Sequence, residues 1–248
     1  MKTSTLHARS PSESSKTKTM KSETDPQDTT RKTRIFIVDD HPLMRQAISQ
    51  VLLKEPDMTV CGEASSAAEA LEEIQAESPD IVIADLSLQG MSGIDLIKNL
   101  KSIFPELPIL VLSMHDESIY AQRVLRAGGQ GYVMKEETAE KVVQGIRRIL
   151  AGDIYVSERV GAKMLQQIAG GRAATKGSPV DQLTDRELQV IQLIGEGRST
   201  REIAAKLDLS MKTVESHRAH AMEKLNLKNS TELVHFSVLW VANENKPG

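Results

Sequence analysis

Asp80-Ile81-Val82-Ile83-Ala84-Asp85-Leu86-Ser87 decides how the rest of the chain is read. Four consecutive small or branched apolar residues between turn-prone neighbours predict a strand buried on both faces, as in a parallel sheet. Asp85 stands where that strand should end. Open parallel α/β sheets bind ligands in the crevice beyond the carboxyl ends of their strands. A carboxylate placed there is a poor core residue and a plausible reagent.

Further apolar runs lie at 34–38, 59–63, 109–112 and 131–134, with helical patterns between them at 42–54, 67–77, 94–104, 118–127 and 138–150. Five strands alternating with five helices predict a doubly wound, five-stranded parallel α/β sheet over residues 34–151, with right-handed crossovers. Residues 1–33 are rich in Ser, Thr and Lys and poor in large aliphatics, so they are expected to be a disordered tail, with Met20 an alternative start. The rhythm is lost over 152–180, where a helix at 156–169 followed by Gly170-Gly171 and the 175–179 stretch predicts a linker.

Residues 181–245 read as a small all-α, four-helix domain. Thr184 with Glu187 and Ser199 with Glu202 have capping-box spacing, and Asn229 with Glu232 is a weaker version. Gly195 and Gly197 are expected to stop the first helix. A short helix at 200–207, the corner Asp208-Leu209-Ser210 and a longer helix at 211–225 make a helix-turn-helix, followed by a fourth helix at 230–241.

Composition sets limits. No apolar run approaches the roughly 18 residues a membrane span needs, and the amino terminus lacks a secretory apolar core. The single cysteine, Cys61, precludes an intramolecular disulfide and suits a reducing compartment, so the chain reads as cytoplasmic with no membrane partner. Net charge is −3, but residues 34–151 hold eleven Lys/Arg against eighteen Asp/Glu, and 181–248 hold nine against ten. An acidic body suits a cation; any nucleic-acid role of the near-neutral C-terminal part must rest on a local face.

Asp39-Asp40 follow the first strand, so their carboxylates are expected at the same edge as Asp85. Three acids in one crevice repel one another unless a cation sits among them. Oxygen ligands with open positions favour Mg2+. Ser113 after the fourth strand and Lys135 after the fifth supply a hydroxyl and an ammonium for phosphoryl oxygens, the equipment of phosphotransfer to a carboxylate nucleophile.

These residues, in this order along residues 34–151, resemble the receiver domain of bacterial two-component response regulators, a flavodoxin-like fold. The resemblance implies that Asp85 is the phosphoacceptor for a sensor histidine kinase, and that Asp39, Asp40, Asp85 and the backbone carbonyl of Ser87 hold the metal. It also implies that Ser113 is the switch hydroxyl, Lys135 the phosphate-facing lysine and Tyr132 the switch aromatic. Gln89 is a departure, standing where a proline is common. An aspartate-nucleophile phosphatase is the rival reading; it wants a second acid where Ser87 stands. A scaffold that no longer accepts phosphate is the other.

The run from Leu183-Thr184-Asp185-Arg186-Glu187 to Thr213-Val214-Glu215-Ser216-His217-Arg218 resembles the LuxR-type DNA-binding domain. Both halves together resemble the NarL/FixJ class of response regulators. On the 211–225 helix Val214, Ala221 and Leu225 form the core stripe, flanked by His217 and Arg218. The outward side carries Glu215, Ser216 and Ala219, assigned to base edges in the major groove. Lys212, Thr213, Arg218, Lys224 and Lys228 are assigned to phosphates, which set register. The expected partners are thus a histidine kinase, double-stranded promoter DNA, a second copy in a phosphorylated homodimer, and RNA polymerase as a further contact. Leu233, Val234 and Trp240 of the last helix are the candidate dimer surface. The expected activity is that of a regulator that accepts a phosphoryl group and loses it by self-catalysed hydrolysis, not of an enzyme.

Overall fold

In the computed structural model, which describes residues 31–169 and 179–244, the alternation resolves into a regular series. It runs β1 (Thr33–Val38), α1 (Pro42–Leu52), β2 (Met58–Ala64), α2 (Ala67–Glu77), β3 (Ile81–Ala84), α3 (Gly93–Ile103), β4 (Ile109–Ser113), α4 (Glu117–Ala127), β5 (Gly131–Met134) and α5 (Ala139–Leu150). After α6 (Glu158–Ala169), a 3-10 turn at Pro179–Gln182 leads into α7 (Asp185–Gly195), α8 (Thr200–Leu207), α9 (Met211–Leu225) and α10 (Ser230–Glu244). The expected tail up to residue 30, including Met20, and the expected glycine hinge up to residue 178 lie outside the described residues.

The five strands form one parallel sheet in the order β2-β1-β3-β4-β5. Side chains alternate across it, as the two-residue strand period requires. Ile35, Ile37, Ile81, Ile83, Leu110 and Leu112 pack with α1 and α5, while Phe36, Val38, Val82, Ala84, Ile109 and Val111 pack with α2, α3 and α4. Both faces are therefore core, which explains why the strands are near-continuous apolar runs rather than alternating ones.

The boundaries differ from the sequence reading for local reasons. Thr33 belongs to β1 because its N–H donates to Asp57 O at 2.8 Å. α1 stops at Leu52 rather than 54, since Glu55 precedes Pro56 and is biased away from helix. The helix expected from residue 156 begins at Glu158 instead. Tyr155 bridges to Gly131, its N–H donating to Gln130 O and its carbonyl accepting from Tyr132 N–H, which covers the edge of β5.

In the helical half both capping boxes close: Glu187 N–H donates to Thr184 Oγ1 and Glu202 N–H to Ser199 Oγ, with the glutamates reaching back. Asn229 accepts from Glu232 N–H, but Glu232 returns to Lys228 N–H, one residue early. Gly195 is the last residue of α7, as expected, and a Cβ on it would collide with Ser237 O of α10, so its smallness also serves helix packing. Gly197, at φ 81°, makes the turn that follows.

Candidate functional site

Strand register assembles the acidic pocket. Val38 pairs with Ala84, and Asp85 N–H donates to Val38 O at 2.9 Å, so Asp39 and Asp85 leave the sheet side by side. On the other side Ser113 pairs with Met134, and Lys135 N–H donates to Ser113 O at 2.8 Å. Gly93 opens α3 against the same strand end, where any Cβ would strike the Asp85 carbonyl. The five residues expected to act together therefore stand on one edge of the sheet.

Their geometry is that of a charged site with two buried central carboxylates and Asp40 facing a cavity. Asp39 and Asp85 are 1% and 2% exposed. Lys135 Nζ lies 2.6 Å from Asp39 Oδ2 and 2.8 Å from Asp85 Oδ2, so one ammonium bridges both carboxylates. Burial works to lower the Lys135 pKa, but Asp85 and Asp39 outweigh it and the net direction is upward. The fold thus supplies one of the cations that three acids require. It does not supply enough: Asp85 Oδ1 is buried and accepts no hydrogen bond, and Asp40 Oδ1 has only the His41 ring, Nδ1 at 2.7 Å, beside it. Burial, with Asp85 and Asp39 nearby, raises the Asp40 carboxyl against the pull of His41. Oxygens of Asp39, Asp40 and Asp85, together with a ring nitrogen of His41, lie within 4.8 Å of one another. Three carboxylates converging on one space, with Asp85 Oδ1 lacking any donor, fit a hard divalent ion.

His41 enters unforeseen. It occupies the N-cap of α1 with no side-chain cap bond, donates its N–H to Asp39 Oδ1 at 2.8 Å, and leaves Asp40 free of the capping role. Arg45 anchors the Asp39 carbonyl at 2.6 Å. Ser113 is fully buried, and Tyr132 is 2% exposed with its hydroxyl donating to His115 O at 2.8 Å. Burial pushes the Tyr132 phenol well above its ordinary value, so it stays a donor. Ser87 Oγ lies 2.8 Å from His115 Nε2.

Both halves lie in one compact unit, and the interface between them was not legible beforehand. Arg123 of α4 donates to Val180 O, Leu183 O and Asp185 Oδ1, while Lys98 of α3 donates to Asp185 Oδ2. Arg186 donates to Gly90 O in the loop after Asp85. The interface roofs a cavity of about 650 Å³ over the pocket, lined by Asp40, Ser87 and His115 below and Gln192, Lys206 and Val241 above. No sequence pattern marks such contacts, since polar residues on helix faces look alike until packing selects them.

On α9, Val214 and Ala221 are fully buried and Leu225 is half-buried, as the stripe requires. Lys212, Glu215, Ser216, Ala219 and Lys228 are exposed. Arg218 is half-buried and donates to Thr200 Oγ1 at 2.8 Å and Glu215 Oε1 at 2.9 Å, tying α9 to the start of α8. Lys224 Nζ donates to Glu187 Oε2 at 2.7 Å, and Thr213 sits in the Ser210 cap. On α10 the candidate dimer residues divide: Leu233 is core at 0% exposure, Val234 is 43% exposed, and Trp240 is half-buried beside a groove with Phe236 and Leu239.

Comparison with known proteins adds the following. Residues 35–147 match the response regulator receiver domain model, and 181–237 match the model for bacterial regulatory proteins of the luxR family. The chain is 35% identical over 209 residues to the oxygen regulatory protein NreC of Staphylococcus carnosus, covering 83% of this chain and 96% of that one. It is similar to RcsB of Salmonella enterica serovar Typhimurium bound to the rprA promoter with phosphomimetic BeF3−, at TM-score 0.60 and 28% identity, covering 84% and 99% of the two chains. A second RcsB structure from Salmonella typhimurium matches at TM-score 0.64 and 26% identity, covering 84% and 98%.

Proposed function

The chain belongs to the response regulators that join a receiver domain to a LuxR-type DNA-binding domain, and on that footing we propose that Asp85 is its phosphoacceptor. Such a chain is a phosphorylation-dependent transcription regulator. Residues 34–151 are the receiver, 152–180 the linker and 181–245 the DNA-binding domain. The observation that carries the reading is the buried pair of Asp39 and Asp85, bridged by a single Lys135 Nζ while Asp85 Oδ1 is left without a donor.

Asp85 attacks the phosphorus of a phosphohistidine on a sensor kinase. The P–N bond breaks, and the freed imidazole nitrogen takes a proton. Asp39, Asp40, Asp85 and the Ser87 carbonyl would hold Mg2+, which when bound would neutralise charge developing on the phosphoryl oxygens. Lys135 shares that task, and Ser113 turns its hydroxyl toward the same oxygens while Tyr132 follows. Water attack on the acyl phosphate later returns free phosphate and the Asp85 carboxylate. The added charge of roughly −1.5 to −2 is the signal.

In the DNA-binding half Glu215, Ser216 and Ala219 read base edges. Lys212, Thr213, Arg218, Lys224 and Lys228 set the phosphate register, Lys224 after leaving Glu187. The protein acts in the cytoplasm as a phosphorylated homodimer on promoter DNA, touching RNA polymerase there. Among the described residues no helix is long and apolar enough to cross a membrane.

The test is exposure of the full chain to acetyl phosphate and Mg2+ followed by intact mass. One added phosphoryl group, absent in Asp85→Asn, is the expected result. No adduct, or steady turnover of a small phosphate ester, would overturn the assignment.

A further inference from the structure

His115 has every polar group engaged, and they lead to separate places. Its N–H donates to Ser113 Oγ at 3.3 Å, and its carbonyl accepts from Tyr132. Nδ1 lies 2.8 Å from Gln192 Nε2 on α7, while Tyr120 OH donates to Gln192 Oε1 at 2.9 Å and so orients that amide. An amide nitrogen only donates, so Nδ1 is the acceptor and the ring proton sits on Nε2, donating to Ser87 Oγ. The ring also stacks on Tyr120, centroids 4.8 Å apart at 26°. One residue therefore touches three members of the pocket and one residue of the helical half.

We propose that His115 is a positioning residue through which the Asp85 pocket and docked α7 compete, so that seating a phosphoryl group loosens the helical half from the sheet half. The inference rests on Asp85 being the phosphoacceptor. Ser113, turning toward phosphoryl oxygens, gives up the His115 N–H. Ser87, whose carbonyl turns to the cation, draws its hydroxyl from Nε2. Both movements displace an imidazole whose bond to Gln192 is directional and weakens steeply off axis. Coupling of this kind is reciprocal: whatever holds α7 down also resists phosphorylation.

The test uses the full chain with His115→Ala, Gln192→Leu, their double variant and His115→Asn, whose amide oxygen stands near the place of Nδ1. Beryllofluoride with Mg2+ serves as the stable phosphoryl probe and acetyl phosphate as the donor for rates. In wild type, beryllofluoride is expected to speed hydrogen exchange in α4 and α7. Both single variants should show that faster exchange without the probe and form the Asp85 adduct about three- to tenfold faster, the worth of one or two hydrogen bonds in a docking equilibrium. The double variant should be no faster than either single, and His115→Asn should recover part of the protection. Wild-type exchange and rates in the variants, or additive effects, would overturn the role of His115 while an adduct in wild type left the phosphoacceptor standing. An absent adduct in wild type would overturn both.

Discussion

Lys135 serves two buried carboxylates with one ammonium, and its own side chain is 3% exposed. Removing one partner of a buried ion pair typically costs about 3–5 kcal/mol because the other charge is stranded. Lys135→Ala is therefore expected to lower the melting temperature sharply, and Mg2+ should restore more stability to the variant than it adds to wild type. Differential scanning calorimetry with and without the ion measures this; equal magnesium shifts in both proteins would speak against a cation among Asp39, Asp40 and Asp85. These acids, with Ser113 and Lys135, were legible because each closes an apolar run, and strand ends in a parallel sheet converge on one edge. His41 and His115 were not, since a histidine in a loop carries no periodicity. His115, whose imidazole burial pushes down to about 4, declares itself only once Tyr120 and Gln192 are placed around it.

Helices are positioned by their ends as much as by their faces. Burial works to raise the Glu187 carboxyl, but Lys224 and the Thr184 N–H and hydroxyl outweigh it and hold it below its ordinary value of 4.5. A depressed carboxyl contributes stability that is complete above its unfolded value and is lost as pH falls through the folded one. Wild type is accordingly expected to lose helical-half stability below about pH 4.5, whereas Glu187→Gln, weaker at neutral pH, should show a flatter profile when followed by circular dichroism. For α9, Lys212→Ala should weaken binding similarly on all DNA sequences and lower the salt slope by about 1, while Glu215→Ala should relax sequence preference instead. Binding isotherms across salt and across altered sites separate these outcomes. Helix identity was legible from capping spacing, which is a local property. The role of Gly195 was not, because its meaning lies in the approach of Ser237 from a helix more than forty residues later.

At the scale of the molecule, the outward face of α9 is exposed while α7 is docked, so the sheet half does not cover Glu215, Ser216 and Ala219, the residues proposed to read bases. What the docked arrangement controls is how freely the helical half can be presented, and Arg123 is its main clasp. That guanidinium is 14% exposed and reaches two carbonyls and Asp185. Arg123→Ala is expected to leave each half folded yet expand the molecule in small-angle scattering. An unchanged radius of gyration would show that the clasp is dispensable. Nothing in the sequence marked this junction, because it joins residues whose surroundings are set only when both halves meet. The most direct measurement titrates fluorescent promoter-length DNA with wild type and Asp85→Asn, each with and without acetyl phosphate and Mg2+. Phosphodonor should tighten binding by wild type and leave Asp85→Asn unmoved. The same response from both proteins would contradict control of DNA binding through Asp85.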